Sequence, residues 1–133
     1  MRIGSIGAGW LGGTVGRQWV KAGHEVLFSS RHPERFKTLV RELGSLASAG
    51  TAAEAAAFRP VVLIATPYEV RPAIGRDHGE ALRGKIMLVA TNPSPSAPLA
   101  RDAERDSFAP TSAKLPPGAR LVRAFGAVDA IAV

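Results

Sequence analysis

Three glycines near the N-terminus have the spacing of a phosphate-binding turn. Gly7, Gly9 and Gly12 form the pattern G-x-G-x-x-G between a predicted strand at Arg2–Ile6 and a predicted helix over residues 11–22. In such a turn the first glycine permits a tight bend, the second lets a pyrophosphate approach the backbone, and the third lets the helix pack closely. The helix N-terminus adds free N–H groups and a partial positive charge. A glycine-rich turn without a ligand is the alternative. The residues assigned to the site here are Gly7, Ala8, Gly9, Trp10, Leu11 and Gly12.

The end of the second predicted strand, Glu25–Ser29, carries no acidic side chain. Sites selective for NAD usually have Asp or Glu there to bind the ribose 2′-hydroxyl, and a carboxylate would repel a 2′-phosphate. Ser30 can donate a hydroxyl hydrogen bond, and Arg31 a charge-assisted one. The sequence therefore predicts NADP(H) as cofactor, although Arg31 could instead be an ordinary surface arginine. His32 either contacts the adenine or phosphate or merely caps the next helix. The residues assigned to this segment are Ser29, Ser30, Arg31 and His32.

Two later segments also follow predicted buried strands, at residues 61–65 and 86–90. Ligands of parallel sheets bind at the carboxyl ends of the strands, near the point where the strand order reverses. We therefore assign the residues at these two strand ends to the same site, and Tyr68 could approach the nicotinamide or a second substrate. The residues are Ala65, Thr66, Pro67 and Tyr68 in the first segment and Thr91, Asn92 and Pro93 in the second.

Strand-like and helical segments alternate along the whole chain. A helix with an apolar face is predicted to begin at Pro33 and to end at Gly44. A short strand is expected around Leu46, and a capping box at residues 51–54 predicts the start of an alanine-rich helix. A less regular helix is predicted over residues 72–82 and a sixth strand over 120–125. This alternation predicts an α/β Rossmann fold, doubly wound, with a mainly parallel sheet and helices on both faces. Residues 1–133 are predicted to form a single domain, with a long proline-rich loop over 94–118.

Composition narrows the chemistry further. The chain has 133 residues, a net charge of +6 and no cysteine, which excludes disulfides, thiolate metal sites and a cysteine nucleophile. We find no Ser/His/Asp set, carboxylate pair or metal cluster, so no catalytic side chain and no metal are predicted. The basic residues are scattered, which favours a solvated surface with a phosphate site over a nucleic-acid partner. No apolar run is long enough for a membrane span and no signal peptide is expected, so we predict a cytoplasmic protein.

Several runs together resemble the N-terminal domain of the NADP-dependent deazaflavin (coenzyme F420) oxidoreductases, a domain type also found in the cytosolic part of STEAP-type metalloreductases. The runs are residues 2–12, 22–26, 29–33, 61–67, 91–93 and 121–125. The resemblance implies hydride transfer between NADP(H) and a deazaflavin or flavin, a small-molecule redox carrier. By position, Thr66, Pro67, Asn92 and Pro93 would line the nicotinamide pocket.

The resemblance is incomplete at the C-terminus. Family members usually continue beyond the position of Val133 through a segment that helps to bind the second substrate and to dimerise. An NADP(H)-binding or sensing module without turnover is therefore the main alternative. Another NADP-linked reductase, acting on imines or hydroxyacids, is a further alternative, and a homodimer through an exposed sheet edge stays open.

Overall fold

The computed structural model describes residues 1–58, 60–67, 70–90 and 118–123. Six parallel strands form one sheet in the order β3-β2-β1-β4-β5-β6. This is the strand order of a doubly wound dinucleotide-binding sheet, which confirms the predicted Rossmann fold. The elements are β1 (Arg2–Ile6), α1 (Trp10–Lys21), β2 (Glu25–Ser29), a 3₁₀ turn (Pro33–Phe36), α2 (Lys37–Leu43), β3 (Ala47–Gly50), α3 (Ala52–Ala57), β4 (Val61–Ile64), α4 (Arg71–His78), β5 (Ile86–Val89) and β6 (Arg120–Arg123).

Helices cover both faces of the sheet because successive strand residues point to opposite sides. Ile3, Val26 and Phe28 belong to a core cluster with Val20 of α1, against which the apolar side chains of α2 also pack. Ile6 and Leu27 point the other way, into a cluster with residues of α3 and α4. All four residues of β4 are buried, as expected for a central strand covered on both faces.

Close packing of α1 on the sheet depends on a glycine in the middle of the helix. A β-carbon on Gly16 would overlap the ring of Phe28, which is itself fully buried. The helix can therefore lie directly on the Phe28 side chain only because this position has no side chain. Trp19 is half-buried and packs against two of the core clusters.

The local start and stop signals mostly act where the sequence predicts them. The capping box is present, with the Glu54 N–H donating to Thr51 Oγ1 at 3.2 Å and the Thr51 N–H donating to Glu54 Oε1 at 3.4 Å. Gly44 ends α2 with a φ of 86°. The segment after Pro33 differs in detail, because its first turn is 3₁₀ and the α-helix starts at Lys37.

The second half of the chain departs further from the predicted boundaries. The α-helix of α4 ends at His78 rather than at Leu82, and turns follow over residues 79–84. Glycine has a poor helix propensity, and Gly79 and Gly84 flank this turn segment. The predicted loop over 94–118 and the extension of the last strand to residue 125 lie almost entirely outside the described residues. Within the described part of the chain, no helix is long and apolar enough to cross a membrane.

Candidate dinucleotide-binding site

The carboxyl ends of three central strands lie side by side in register. Ile6 at the end of β1 pairs with Ser29 of β2 on one side and with Ile64 of β4 on the other. Because neighbouring strands are about 4.8 Å apart, the segments that follow them share one edge of the sheet. The structure thus brings together the glycine turn, residues 29–32 and residues 65–67. The fourth predicted segment, Thr91, Asn92 and Pro93, lies outside the described residues, as does Tyr68.

Two glycines of the turn are surrounded by protein atoms. Gly7 has a φ of 91°, and a β-carbon there would lie 2.7 Å from the carbonyl oxygen of Ala65. A β-carbon on Gly12 would collide with the carbonyl oxygen of Gly7, in the turn itself. Gly7 and Gly12 are therefore needed for the turn, the first turn of α1 and the end of β4 to approach one another.

Gly9 differs from its two neighbours in the motif, because its missing side chain faces open space. No atom lies within 4 Å of the position that a β-carbon would occupy, and the residue is exposed. Its carbonyl accepts a hydrogen bond from the Gly13 N–H at 2.7 Å, whereas among the described residues nothing accepts from the N–H of Ala8 or Gly9. Helix α1 begins at the next residue and has no acidic side chain in its first turn. This is a surface that an anion can approach.

A buried hydroxyl beneath the turn was missed in the analysis of the sequence. Ser5 has no exposed surface, and its Oγ donates a hydrogen bond to the carbonyl oxygen of Gly7 at 3.1 Å. The sequence signal was available, because after Arg2 this serine is the one polar residue of the strand, two positions before Gly7. Buried hydroxyls usually have a partner.

The end of β2 presents one cationic side chain and one available hydroxyl. Ser30 Oγ accepts a hydrogen bond from the His32 N–H at 3.1 Å, so its own hydrogen remains free to be donated. Arg31 is exposed, and no acceptor for its guanidinium is present among the described residues. Ser29 is only 1% exposed, and within the described structure its Oγ has no hydrogen-bond partner.

His32 does not cap the following turn with its side chain. It occupies the N-cap position of the 3₁₀ turn, but no side-chain capping bond is present. Its Nδ1 instead lies 3.3 Å from Glu34 Oε1, and both side chains are more than half exposed. His32 is therefore the N-cap residue by position, with its carbonyl accepting from the Arg35 N–H, but its side chain makes no capping bond, and its other ring nitrogen, Nε2, has no partner within the described structure.

The end of β4 carries a second enclosed hydroxyl. Thr66 Oγ1 is buried and lacks a hydrogen-bond partner among the described residues. The Thr66 methyl group lies 3.0 Å from the position of a β-carbon on Gly7, so the residue borders the glycine turn. Pro67 is exposed and accepts a hydrogen bond from the Val70 N–H at 3.0 Å.

Trp10 projects from the glycine turn into solvent. Its side chain is 69% exposed and therefore lies outside the core. Two histidines lie away from this edge. The N-terminal amine and His24 Nδ1 are 3.2 Å apart, and His78 is the last residue of α4. In the described ranges, no group of three or more His, Asp or Glu side chains is placed to hold a metal ion.

A cavity of about 480 Å³ lies at the opposite edge of the sheet, beside the amino ends of β4 and β5. There Lys85 Nζ donates hydrogen bonds to the carbonyl oxygens of Ala56, at 2.6 Å, and of Ala81. These bonds satisfy one carbonyl group at the end of α3 and another in the turn segment that follows α4. The lysine therefore has a structural role, and this cavity does not belong to the candidate site.

Comparison with known proteins gives a family and a fold. The family model described as NADP oxidoreductase coenzyme F420-dependent matches residues 2–93, more than half of the chain. No curated protein matches this chain.

Among solved structures, the chain is similar to a candidate F420-dependent NADP-reductase from Arthrobacter sp. FB24, with 23% identity and a TM-score of 0.73 over 98% of this chain and 64% of that one. A hypothetical protein from Sinorhizobium meliloti has 23% identity and a TM-score of 0.74, over 97% and 63% of the two chains. An imine reductase from Myxococcus stipitatus in complex with NADP⁺ has 22% identity and a TM-score of 0.67, over 92% and 40%. The chain thus spans less than two thirds of each of these proteins, and at such identities the likeness establishes the fold.

Proposed function

We propose that this chain, which belongs to the family of coenzyme F420-dependent NADP oxidoreductases, binds NADP(H) at the carboxyl edge of its sheet and transfers a hydride between the nicotinamide and a deazaflavin or flavin carrier. The observation that carries the proposal is the open space beside Gly9. At Gly7 and Gly12, the other two glycines of the motif, protein atoms occupy the space that a side chain would need. Within the turn, Gly9 is the glycine at which a ligand can approach the backbone closely.

The pyrophosphate is assigned to the glycine turn. The N–H groups of Ala8 and Gly9 have no acceptor among the described residues, and the N-terminus of α1 at Trp10 and Leu11 adds its partial positive charge. With no acidic side chain in that first turn, nothing there opposes two phosphate groups. A pyrophosphate therefore fits both the shape and the charge of the turn.

The 2′-phosphate is assigned to Ser30 and Arg31. Ser30 keeps a hydroxyl hydrogen to donate, while Arg31 offers an exposed guanidinium that can hold a phosphate with two parallel hydrogen bonds. His32 lies beside them and can contact the phosphate or the adenine through Nε2. Ser29 is the last residue of β2, and its buried side chain lies next to this segment.

The nicotinamide half is assigned to the ends of β4 and β5. Thr66 Oγ1 is buried without a partner in the described structure, so a rotation of this side chain would be needed to bring its hydroxyl to an amide or hydroxyl group of the cofactor. Ala65 and Pro67 adjoin it, and Tyr68, Thr91, Asn92 and Pro93 complete the predicted pocket. When bound, NADPH supplies a hydride, which carries two electrons, and the carrier takes this hydride together with one proton from water.

In the proposed reaction, the main task of this chain is to position the nicotinamide ring against the ring of the carrier. Hydride transfer between stacked rings needs the two rings held at contact distance and water kept out, and it requires no general acid or base. The exposed indole of Trp10, at the rim of the glycine turn, offers a flat surface that shields the bound cofactor on its solvent side. Trp10 therefore belongs to the proposed site without taking part in bond breaking.

An NADP(H)-binding or sensing module is the second candidate. The contacts for the pyrophosphate and the 2′-phosphate are assigned to described residues, whereas no described residue is assigned to a second carrier. Such a module would bind NADPH tightly and would not oxidise it. Four further features remain predictions from the sequence. They are a single domain over residues 1–133, a cytoplasmic location, the lack of a nucleic-acid partner and a possible homodimer.

The test is the oxidation of NADPH, followed by the loss of its absorbance, with a deazaflavin, FMN or FAD offered as acceptor. Turnover with the deazaflavin or a flavin supports the oxidoreductase, and a Gly9→Ala variant should raise the KM for NADPH at least about tenfold. Binding of NADPH without turnover on any of the three acceptors would contradict hydride transfer to such carriers and favour the binding module.

A further inference from the structure

Ser5 is a polar residue in a position where the fold calls for an apolar one. It lies in the middle of β1, a central strand, with 0% of its surface exposed. Burying a hydroxyl is unfavourable unless it finds a hydrogen-bond partner. Ser5 Oγ finds one in the carbonyl oxygen of Gly7, at 3.1 Å, which is the first glycine of the phosphate-binding turn.

This hydrogen bond fixes the direction of one peptide group in the turn. The carbonyl of Gly7 and the N–H of Ala8 belong to the same planar peptide unit, and in a trans peptide they point in opposite directions. The Gly7 carbonyl is held on the protein side, between Ser5 Oγ and the backbone of Gly12. The Ala8 N–H is thereby turned away from the strand, toward the carboxyl edge, where no described residue accepts a hydrogen bond from it.

We infer that Ser5 is a positioning residue for the nucleotide: its hydroxyl holds the Gly7–Ala8 peptide so that the Ala8 N–H donates to the diphosphate. The inference rests on the proposed function. Without the hydroxyl, the carbonyl of Gly7 would lose its buried partner, and the peptide would be free to rotate or to recruit water. The turn would then present its N–H to an anion less often.

The first experiment compares two ligands on the Ser5→Ala protein. NADPH uses the diphosphate contact, whereas 2′-AMP carries the adenine and the 2′-phosphate but no diphosphate. Loss of one hydrogen bond to a charged group should weaken NADPH binding about tenfold, while the affinity for 2′-AMP should stay nearly unchanged. A general loss of structure would instead weaken both ligands together.

A matched control separates positioning from stability. Val26 is also a 0% exposed strand residue, at the amino-terminal half of β2 and away from the turn. Val26→Ala should lower the thermal unfolding temperature and leave the NADPH affinity of the folded protein unchanged. If Ser5→Ala binds NADPH as tightly as the wild type, the inference is wrong. If the wild type itself does not bind NADPH, the proposed function fails first, and the two failures are therefore distinguishable.

A second measurement needs no variant and tests the hydrogen bond from the Ala8 N–H to the diphosphate, which the inference requires, even if Ser5→Ala does not fold. In the amide proton spectrum of the wild-type protein, saturating NADPH should move the Ala8 resonance downfield and slow its hydrogen exchange, as a new hydrogen bond to phosphate requires. An Ala8 amide that is unaffected by bound NADPH would overturn the inference.

Discussion

The backbone of Ala55 in α3 lies against the Cα of Gly4 in β1, with no room for a side chain between the helix and the strand. A β-carbon built on Gly4 would be 2.7 Å from the carbonyl carbon of Ala55 and closer still to its oxygen. Because the obstacle is backbone, no rotation of a side chain can relieve it. The third helix therefore rests directly on the first strand, immediately before the glycine turn.

Replacing Gly4 by alanine should destabilise the fold severely. We expect Gly4→Ala to lower the free energy of unfolding by about 3 kcal/mol, the upper end of the usual cost of overpacking a core. Urea unfolding measures the difference. Gly75→Ala is the control, because Gly75 is exposed in α4 with no atom within 4 Å of the added carbon. That change should stabilise by about 0.5–1 kcal/mol. A Gly4→Ala protein as stable as the wild type would contradict the close packing of α3.

The capping box offers a smaller and more local prediction. Thr51→Ala removes the hydroxyl that accepts from the Glu54 N–H and should cost about 1 kcal/mol of stability. The matched control is Thr38→Ala, at an exposed position inside α2, where alanine is the better helix former. Equal unfolding midpoints for the two variants would show that the cap contributes nothing.

Gly9→Ala should separate binding from folding. The added methyl group meets no protein atom within 4 Å, so the stability should fall by no more than about 1 kcal/mol, the loss of a favourable N-cap residue. The same methyl group would occupy the space assigned to the pyrophosphate, and NADPH affinity should drop at least about tenfold, or 1.4 kcal/mol. Calorimetric titration and thermal unfolding measure the two quantities.

Gly12→Ala is the informative contrast, because its β-carbon collides with the Gly7 carbonyl and should reduce both stability and binding. If Gly9→Ala retains full NADPH affinity, the pyrophosphate does not bind over this glycine.

Local patterns predicted the fold well where one residue or one short motif decides the structure. The bounds of β2, Glu25–Ser29, follow from its composition, and the capping box at Thr51 marks the start of α3. The parallel, doubly wound sheet follows from the alternation of strands and helices together with the handedness of the crossovers, but these do not fix the strand order, which the structure supplies.

Contacts between elements distant in sequence were not predictable in the same way. Gly4 is an unremarkable strand residue until α3 is placed on it, and Ser5 is an isolated polar residue until the Gly7 carbonyl is placed above it. The exposure of Trp10 likewise depends on how the first turn of α1 sits at the sheet edge. Each of these facts requires the packed structure, which no local pattern encodes.

Arg31 should determine the preference for the phosphorylated cofactor. Arg31→Ala should weaken NADPH binding by roughly 1.5–3 kcal/mol, the range for a hydrogen bond to a charged group, and leave NADH binding nearly unchanged. Arg41→Ala, at an exposed position of α2, removes the same charge elsewhere and controls for the overall electrostatic field. Equal losses for NADPH and NADH in Arg31→Ala would contradict its assignment to the 2′-phosphate.

The most direct measurement is a calorimetric titration of the wild-type protein with NADPH and, separately, with NADH. The two cofactors differ only in the 2′-phosphate, which is assigned to Ser30 and Arg31, directly after the end of β2, where no acidic side chain stands. We predict that NADPH binds with a single site per chain and at least about tenfold more tightly than NADH. Equal affinities for the two cofactors, or no binding of either, would contradict the assignment of this sheet edge to NADP(H).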